Sequence, residues 1–579
     1  MSLPKAPRQP VPRLHLWLGC DRLAVFALLL VFLQVFRSVA DTHSEPKTNG
    51  ISRRIEVALP TSFPEKSITG RIFLFIASTN EAEPLFHSQS LFGHDIQAVA
   101  AGTQVLINGA TPGDPQPTLN DLPPGDYHVQ ALLNVYTEFH RADGHTIWAH
   151  MDQWDGQDIQ RSPGNYFSPT QTIHLESSAP TTNQITLSSV IPPNRLPPDT
   201  QWVKRIKIQS PRLSKFWGHP IDIGATILLP KGYEAHPDQQ YPVIYIQGHF
   251  DLGSPFGFDP SPDPNAKKSW VRQCEEVASQ NLPPPPLPPG VTQLGSLSNK
   301  ETGHEFFEAW TSDDFPRVIA VTFQHPTPYF DDSYGVNSPN CGPYGDAIQE
   351  ELIPLLEQRF RMIQKPLARV LVGTSTGGWG ALAMLLYDPD FYGGAWAFSP
   401  DPVDFRLYYG GVNIYEDDNA FVEKPGAAFE GGGQSNRRGS QRCAILGTQD
   451  GKFEWWKHTP TGPDGYPLPV WDLTTGKINH AVAEQMRANN FDLREFLARN
   501  WPQLGPKLRG KLHLCAAETD GFYSNLAVHL FEEFMKGTQN PHVEAEFQYG
   551  PPGSHHGWQP TSNAALVKTL AKYMADRRP

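Results

Sequence analysis

Residues Val370–Gly380 read VLVGTSTGGWG, an apolar run that leads into a Gly-x-Ser-x-Gly motif centred on Ser375. The residues that follow, Ala381–Tyr387, have a composition typical of a helix. A strand, a sharp turn of small residues and a helix together make a nucleophile elbow, which exposes the serine hydroxyl at the end of a sheet. The motif therefore predicts Ser375 as a catalytic nucleophile; a structural Gly-rich turn with a bystander serine is the alternative.

Length and composition narrow the classes of protein to which this chain can belong. The chain has 579 residues, of which 39% are hydrophobic, and this length is enough for two or more domains. Its formal net charge is −13, and a strongly acidic chain is a poor partner for nucleic acid. We therefore expect a globular protein that does not bind nucleic acid.

The N-terminus has the pattern of a targeting segment. Basic residues precede the apolar run Leu23–Val31, and Ser38-Val39-Ala40 supplies a small-x-small cleavage site. The run is shorter than the roughly 20 residues that a membrane-spanning helix needs. We predict that residues 1–40 are a signal peptide and that the cleaved protein is secreted without stable membrane insertion. An uncleaved signal anchor, which would make it a membrane protein, is the alternative.

Cleavage after Ala40 would remove Cys20 and leave four cysteines. An even number of cysteines in a secreted chain permits up to two disulfides, although the spacing assigns no pairs. Cys515 lies in an apolar run and is equally consistent with a buried thiol.

Residues 41–190 are predicted to form an all-β, sandwich-like N-terminal domain. Turn residues separate partly alternating, β-branched runs, and no long helical periodicity interrupts them. These runs are Ile55–Leu59, Ser67–Ser78, Tyr127–Tyr136 and Thr170–Glu176. A Pro-rich linker over residues 191–204 follows.

Residues 205–579 alternate between apolar strands and helices, which predicts an α/β domain with a mostly parallel, covered sheet. A helix is expected where Ile348, Leu352, Leu355, Leu356 and Phe360 share one face. Residues 405–508 interrupt the alternation as a cap-like insertion or, alternatively, a surface elaboration. The predicted strands are Ile223–Leu229, Pro242–Gln247, Arg317–Phe323, Val370–Val372, Lys511–Cys515 and Val543–Tyr549.

A serine nucleophile needs a base, and the base needs an acid to orient it. In an α/β-hydrolase the acid follows a late strand and the histidine follows the last one. The strand near Lys511–Cys515 is followed by Glu518 and Asp520, and the last strand by His555 and His556. Asp401, after the preceding strand, is a rival acid.

An oxyanion hole uses the N–H of the residue after the nucleophile and a second N–H from the loop after the third strand. The first donor is predicted to be the backbone amide of Thr376. The second is predicted to be the amide of His249 or Phe250.

Several of these stretches resemble the putative esterase family, the α/β-hydrolase branch that includes esterase D, feruloyl esterases and enterochelin esterases. The resemblance extends over residues 205–575 and is carried by Tyr241–Gly248, Gly342–Asp346, Glu351–Pro354, the Ser375 elbow and the last loop.

This resemblance implies Ser375 as nucleophile and Asp520 as acid. It also implies His556 as base, because His556-Gly557-Trp558 keeps the family's His-x-Trp spacing. The register that would use His555 stays open, since Ser554-His555 replaces the usual Gly-Gly.

A metal site is a weaker interpretation of one polar stretch, which contains His140, His145, His150, Asp152, Asp155 and Asp158. Its spacing fits neither a zinc site nor an EF-hand loop. We interpret it as a polar loop, with a calcium or carbohydrate contact as the alternative.

Together these observations predict a secreted serine hydrolase that cleaves carboxylic esters through an acyl-enzyme intermediate without a cofactor or metal. The expected partner is a small-molecule or carbohydrate-linked ester, and the oligomeric state stays open. The alternatives are a peptidase or acyltransferase on the same fold, or a non-catalytic protein that binds a glycan or another partner.

Overall fold

The computed structural model describes residues 53–64, 66–151, 159–176, 182–248, 252–262, 301–423, 432–447, 459–551 and 553–577. The predicted signal peptide, with Cys20, and Cys274 lie outside these ranges. In the part of the chain that is described, no helix is both long and apolar enough to cross a membrane. Ser52–Pro579 forms one compact unit.

The N-terminal part consists almost entirely of strands. One sheet has the order β10-β1-β4, and a second has the order β11-β8-β6-β2-β3-β5, with β7 and β9 also paired to β6. The elements are β1 Arg54–Ala58, β2 Ser67–Ser78, α1 Pro84–His87, β3 Ser90–Ala100, β4 Gln104–Asn108, β5 Gly113–Asp114, β6 Gly125–His140, β7 Thr146–His150, β8 Tyr166–Phe167, β9 Gln171–Leu175, β10 Thr182–Thr186 and β11 Ser189–Val190.

Apolar side chains from both sheets share one hydrophobic cluster, with Ile55 and Val57 from β1 and Ile72 and Leu74 from β2. Alternation along these strands places the apolar residues on the inner face. This part also packs on later residues, because the buried Arg71 Nε donates to the Ile445 carbonyl at 2.7 Å. A separate domain over residues 41–190 therefore stays a prediction.

The rest of the described chain is built on one eight-stranded sheet with the order β12-β13-β15-β14-β20-β21-β22-β23. β12 and β13 are antiparallel to their neighbours, and the remaining pairs are parallel. Its strands are β12 Val203–Gln209, β13 Asp222–Leu228, β14 Val243–Gln247, β15 Ile319–Gln324, β20 Arg369–Thr374, β21 Gly394–Phe398, β22 Leu512–Ala516 and β23 Glu546–Tyr549. Two small two-stranded sheets lie between β15 and β20 in the sequence. Their strands are β16 Pro326–Thr327 with β17 Asp331–Asp332, and β18 Asn337–Ser338 with β19 Gly342–Pro343.

Helices cover both faces of this sheet, and two hydrophobic clusters fill the space between them and the strands. The strand order of this sheet is that of the α/β-hydrolase fold predicted for this part of the chain. The helices are α2 Pro211–Trp217, α3 Gly303–Trp310, α4 Tyr344–Ala347, α5 Ile353–Arg359, α6 Thr376–Tyr387, α7 Gly432–Leu446, α8 His480–Ala488, α9 Leu493–Arg499, α10 Trp501–Leu504, α11 Ser524–Gly537 and α12 Asn563–Asp576.

The helix predicted around Leu352 differs from a regular α-helix. A π-helical segment, Ile348–Leu352, joins α4 to α5. Pro354 has no N–H to donate to the preceding turn, and widening that turn accommodates the missing bond. Ile348, Leu352 and Leu356 are nevertheless fully buried, so the predicted apolar face is present.

The parallel strands β20 to β23 end at the same edge of the sheet. Ser375 follows β20, Asp401 follows β21, Asp520 follows β22 and His556 follows β23. Parallel strands carry their functional groups beyond their carboxyl ends, and the strand order thus brings these four side chains to one region.

Candidate active site

Ser375 occupies a strained turn between β20 and α6. Its φ of 57° and ψ of −126° lie in a region that residues with a Cβ rarely adopt. The turn is possible because the residues two positions before and two positions after Ser375 are glycines that lie in close contact with other backbone. A Cβ on Gly373 would lie 2.0 Å from the Gly377 carbonyl oxygen, and a Cβ on Gly377 would lie 2.0 Å from the Gln247 carbonyl oxygen.

Gly373→Ala is therefore expected to destabilise the protein by about 1–3 kcal/mol, because the added methyl meets backbone that must shift. Denaturant unfolding of the variant and the wild type checks this. Gly537→Ala is a matched control, since a Cβ there has no heavy atom of the described chain within 4 Å. Equal unfolding midpoints for Gly373→Ala and the wild type would contradict the steric argument.

His556 and Asp520 form a hydrogen-bonded pair. The distance from His556 Nδ1 to Asp520 Oδ2 is 2.8 Å. The Asp520 side chain is fully buried, and its carboxylate also accepts from Ser524 Oγ at 2.7 Å and from the Phe522 backbone at 2.8 Å. A carboxylate held in this way fixes the imidazole with its proton on Nδ1, which leaves Nε2 as the acceptor.

His556 Nε2 is buried and makes no hydrogen bond to any part of the chain that the structure describes. This ring nitrogen is therefore available to accept a hydrogen bond from a ligand. Phe522 also packs against the imidazole in a T-shaped arrangement, with ring centroids 4.8 Å apart.

The two rival residues for this pair are placed differently. His555 is exposed, whereas His556 is partly buried. Glu518 lies 3.7 Å from His529 Nε2 instead of contacting the His556 ring. Of the candidates left open by the sequence, the structure brings together Asp520 and His556.

Ser375 has a different partner in this structure. Its Oγ donates to Asp401 Oδ1 at 3.2 Å, and within the described ranges it makes no hydrogen bond to His556. The loop that carries His556 nevertheless faces the elbow, because a Cβ on Gly557 would lie 3.4 Å from Thr374 Cγ2. Rotation of the serine side chain is the movement that would exchange Asp401 for His556.

Tyr334 is a site residue that the sequence analysis missed. Its hydroxyl donates to Asp401 Oδ2 at 2.7 Å, and the Thr376 hydroxyl donates to the same oxygen at 3.2 Å. Tyr334 comes from the loop between β17 and β18 and has a positive φ of 58°. That loop carries no motif, so no local signal could have identified Tyr334.

One of the predicted oxyanion-hole donors, Thr376, lies within the residues that the structure describes. Helix α6 begins at Thr376, and the N–H groups of a helix's first turn point out of the helix toward a developing negative charge. The same turn lies against the end of β14, since a Cβ on Gly377 would be 2.9 Å from Gly248 Cα. His249 and Phe250, the other predicted donors, lie outside the described residues.

The described residues hold no cluster of three or more His, Cys, Asp or Glu that could bind a metal ion. His140 contacts Thr146, His145 lies 3.2 Å from Asp143, and His150 stacks on Phe330. Asp152, Asp155 and Asp158 fall outside the described ranges. Cys515 is a free thiol, and burial raises its pKa to about 12.

Part of the chain matches a known protein family. Residues 295–462 match the family described as Putative esterase. The predicted resemblance to the putative esterase family is thereby confirmed. The match includes the Ser375 elbow and supports the predicted class of enzyme, a carboxylic ester hydrolase. No curated protein sequence matches the chain.

Solved structures with which the chain aligns include an S-formylglutathione hydrolase from Agrobacterium tumefaciens, at 13% identity over 66% of this chain and 97% of that one, with a TM-score of 0.31. Another is a ferulic acid esterase from Anaeromyces mucronatus, at 13% identity over 65% and 91%, with a TM-score of 0.30. A third is a fluorophosphonate-binding serine hydrolase from Staphylococcus aureus, at 13% identity over 64% and 98%, with a TM-score of 0.31.

Proposed function

We propose that this protein hydrolyses carboxylic esters with Ser375 as nucleophile, His556 as general base and Asp520 as the acid that orients it. The observation that supports this most strongly is the His556–Asp520 hydrogen bond of 2.8 Å, with the acceptor Nε2 buried and without a partner in the described chain. Ser375 stands on a strained elbow at the same edge of the sheet.

In the proposed reaction, the Ser375 hydroxyl turns from Asp401 to His556 Nε2. Oγ attacks the ester carbonyl carbon while its proton passes to Nε2. The tetrahedral intermediate collapses, the carbon–oxygen bond to the alcohol breaks, and Nε2 returns the proton to the departing alkoxide. Water then attacks the acyl-enzyme by the same route, which releases the carboxylic acid and restores the serine.

The oxyanion of each tetrahedral intermediate is proposed to accept a hydrogen bond from the Thr376 amide at the start of α6. A second donor from His249 is proposed from the sequence alone. Each such donor typically contributes about 10²–10³-fold in kcat, because it is already oriented where the charge develops.

The insertion over residues 405–508 is proposed to cap this site. Phe405, Tyr408, Tyr409, Met486 and Phe491 from the insertion line a small cavity together with Asp401. Secretion after removal of residues 1–40 is proposed from the N-terminal sequence pattern. The proposed substrate is a small-molecule or carbohydrate-linked ester.

Treatment of the folded protein with a fluorophosphonate tests the nucleophile directly. We expect a single adduct, located on Ser375 by peptide mapping, because only a serine beside a base attacks this reagent at a useful rate. Heat-denatured protein is the control and should stay unlabelled. An adduct on another serine, or equal labelling of folded and denatured protein, would contradict the proposal.

A further inference from the structure

Asp401 places a buried carboxylate directly beside the nucleophile. The residue is 6% exposed, and its backbone N–H donates to the Ser375 carbonyl at 3.2 Å. In the reverse direction, the Ser375 N–H donates to the Phe398 carbonyl at 3.0 Å, which fixes the end of β21 against the elbow. The position of the Asp401 charge relative to Ser375 is therefore set by the backbone.

Among the residues that the structure describes, this carboxylate has hydroxyl donors but no cationic partner. Oδ1 accepts from Ser375, and Oδ2 accepts from Tyr334 and Thr376. Within the described ranges, no Lys, Arg or His nitrogen forms an ion pair with Asp401. A buried charge without a counter-charge is costly, and a cationic ligand would lower that cost.

Aromatic side chains surround the same place. Tyr334, Trp379, Phe405, Tyr408 and Phe491 line a cavity with Asp401, and its volume is about 20 Å³. Aromatic faces attract cations, and a cavity of this size has room for one group as large as a water molecule. A primary ammonium group meets both conditions and has N–H groups that can donate to the Asp401 carboxylate, whereas a trimethylammonium group has none.

During catalysis the Asp401 carboxylate would lose one of its hydrogen-bond donors. When the Ser375 hydroxyl turns to His556, Asp401 Oδ1 loses the hydrogen bond of 3.2 Å. An N–H of the substrate can replace it if it lies within a few bonds of the carbonyl that Ser375 attacks. We propose that Asp401 is a specificity residue that binds a primary ammonium group on the acyl part of the substrate, next to the ester carbonyl.

This inference rests on the proposed ester hydrolysis, and its test compares two esters of nearly equal shape. Alanine ethyl ester carries an ammonium where ethyl 2-methylpropanoate carries a methyl group. Their kcat/KM values are measured at about pH 6, below the ordinary pKa of an α-amino group. The two esters differ in intrinsic reactivity. That difference cancels when the ratio of their kcat/KM values in the wild type is divided by the same ratio in a variant.

We expect Asp401→Asn to lower the preference for alanine ethyl ester by about tenfold or more, because the variant keeps the shape and loses the charge. Ser399→Ala is the matched control, since it removes a buried hydroxyl that has no hydrogen-bond partner among the described residues and keeps the Asp401 charge, and it should retain the preference. An unchanged ratio in Asp401→Asn, with both esters hydrolysed, would overturn the inference alone. A wild type that hydrolyses an aryl ester but neither of these two esters would also overturn the inference alone, whereas one that hydrolyses none of the three would overturn the proposed function with it.

A second measurement uses only the wild-type protein. Methylammonium should speed the labelling of Ser375 by a fluorophosphonate, because it replaces the hydrogen bond that Asp401 loses when the serine turns to His556. Tetramethylammonium at equal concentration should not do so, because it has no N–H to donate. Equal effects of the two cations, or none from methylammonium, would contradict the binding of a primary ammonium group at Asp401.

Discussion

Ser375→Ala is expected to lower kcat/KM for a simple ester by about 10⁴-fold or more. The substitution removes the only atom that can form the acyl-enzyme in the proposed mechanism. It leaves Asp401, Tyr334 and the His556–Asp520 pair in place, so the loss should not come from unfolding. Steady-state hydrolysis of an aryl ester measures the effect, and thermal unfolding shows that the variant is folded.

Ser399→Ala is a suitable control for this variant. Ser399 is fully buried at the end of β21, near Asp401, and its Oγ has no hydrogen-bond partner among the described residues. Removing this hydroxyl should leave ester hydrolysis within a few-fold of the wild type. Retention of wild-type turnover by Ser375→Ala in pure protein would exclude Ser375 as the nucleophile.

The sequence predicted most of the parallel sheet because buried parallel strands are short, continuous apolar runs. The predicted strand Pro242–Gln247 is observed as Val243–Gln247, and the predicted Lys511–Cys515 as Leu512–Ala516. β12 was missed, because three polar residues interrupt its apolar pattern in VKRIKIQ. This strand lies at the edge of the sheet, where Lys and Arg are favoured since they discourage pairing with other chains.

In the N-terminal part, β3 Ser90–Ala100 and β4 Gln104–Asn108 were also missed. β3 contains Gly93 and exposed polar residues, and thus has neither a continuous apolar run nor a clean alternation. Gly93 is required by packing, because a Cβ there would lie 2.3 Å from the Ile445 carbonyl oxygen. That neighbour is more than 350 positions away in the sequence, beyond the reach of any local pattern.

The candidate site also contains residues that the sequence could identify and a contact that it could not. The order of Ser375, Asp520 and His556 along the chain follows the strand order of the fold, so local motifs were enough to select them. Asp401 was considered only as a rival acid for the histidine. Its hydrogen bond to Ser375 depends on the backbone contacts between β21 and the elbow, which a motif does not encode.

Asp401 and His556 are therefore alternative acceptors for one proton in the proposed cycle. With Ser375 bonded to Asp401, His556 Nε2 lacks a partner, and the nucleophile is not activated. A substrate that supplies a donor to Asp401 would make the rotation of Ser375 toward His556 easier. Recognition of the acyl part and activation of the nucleophile would then be linked through a single hydrogen bond.

His556→Ala and His555→Ala separate the base from its neighbour. We expect His556→Ala to lower kcat/KM by about 10⁴-fold or more, because the serine proton would have no acceptor at Nε2. His555 is exposed and lies outside the His556–Asp520 hydrogen bond, so His555→Ala should stay within a few-fold of the wild type.

Both variants should be tested with the same ester and with the fluorophosphonate. In His556→Ala the labelling of Ser375 should slow in parallel with turnover, since both reactions need the hydroxyl proton to be removed. Thermal unfolding of the two variants shows that the loss is not structural, because each substitution removes a single partly exposed or exposed ring. Loss of activity in His555→Ala with retention in His556→Ala would move the base by one residue and break its link to Asp520.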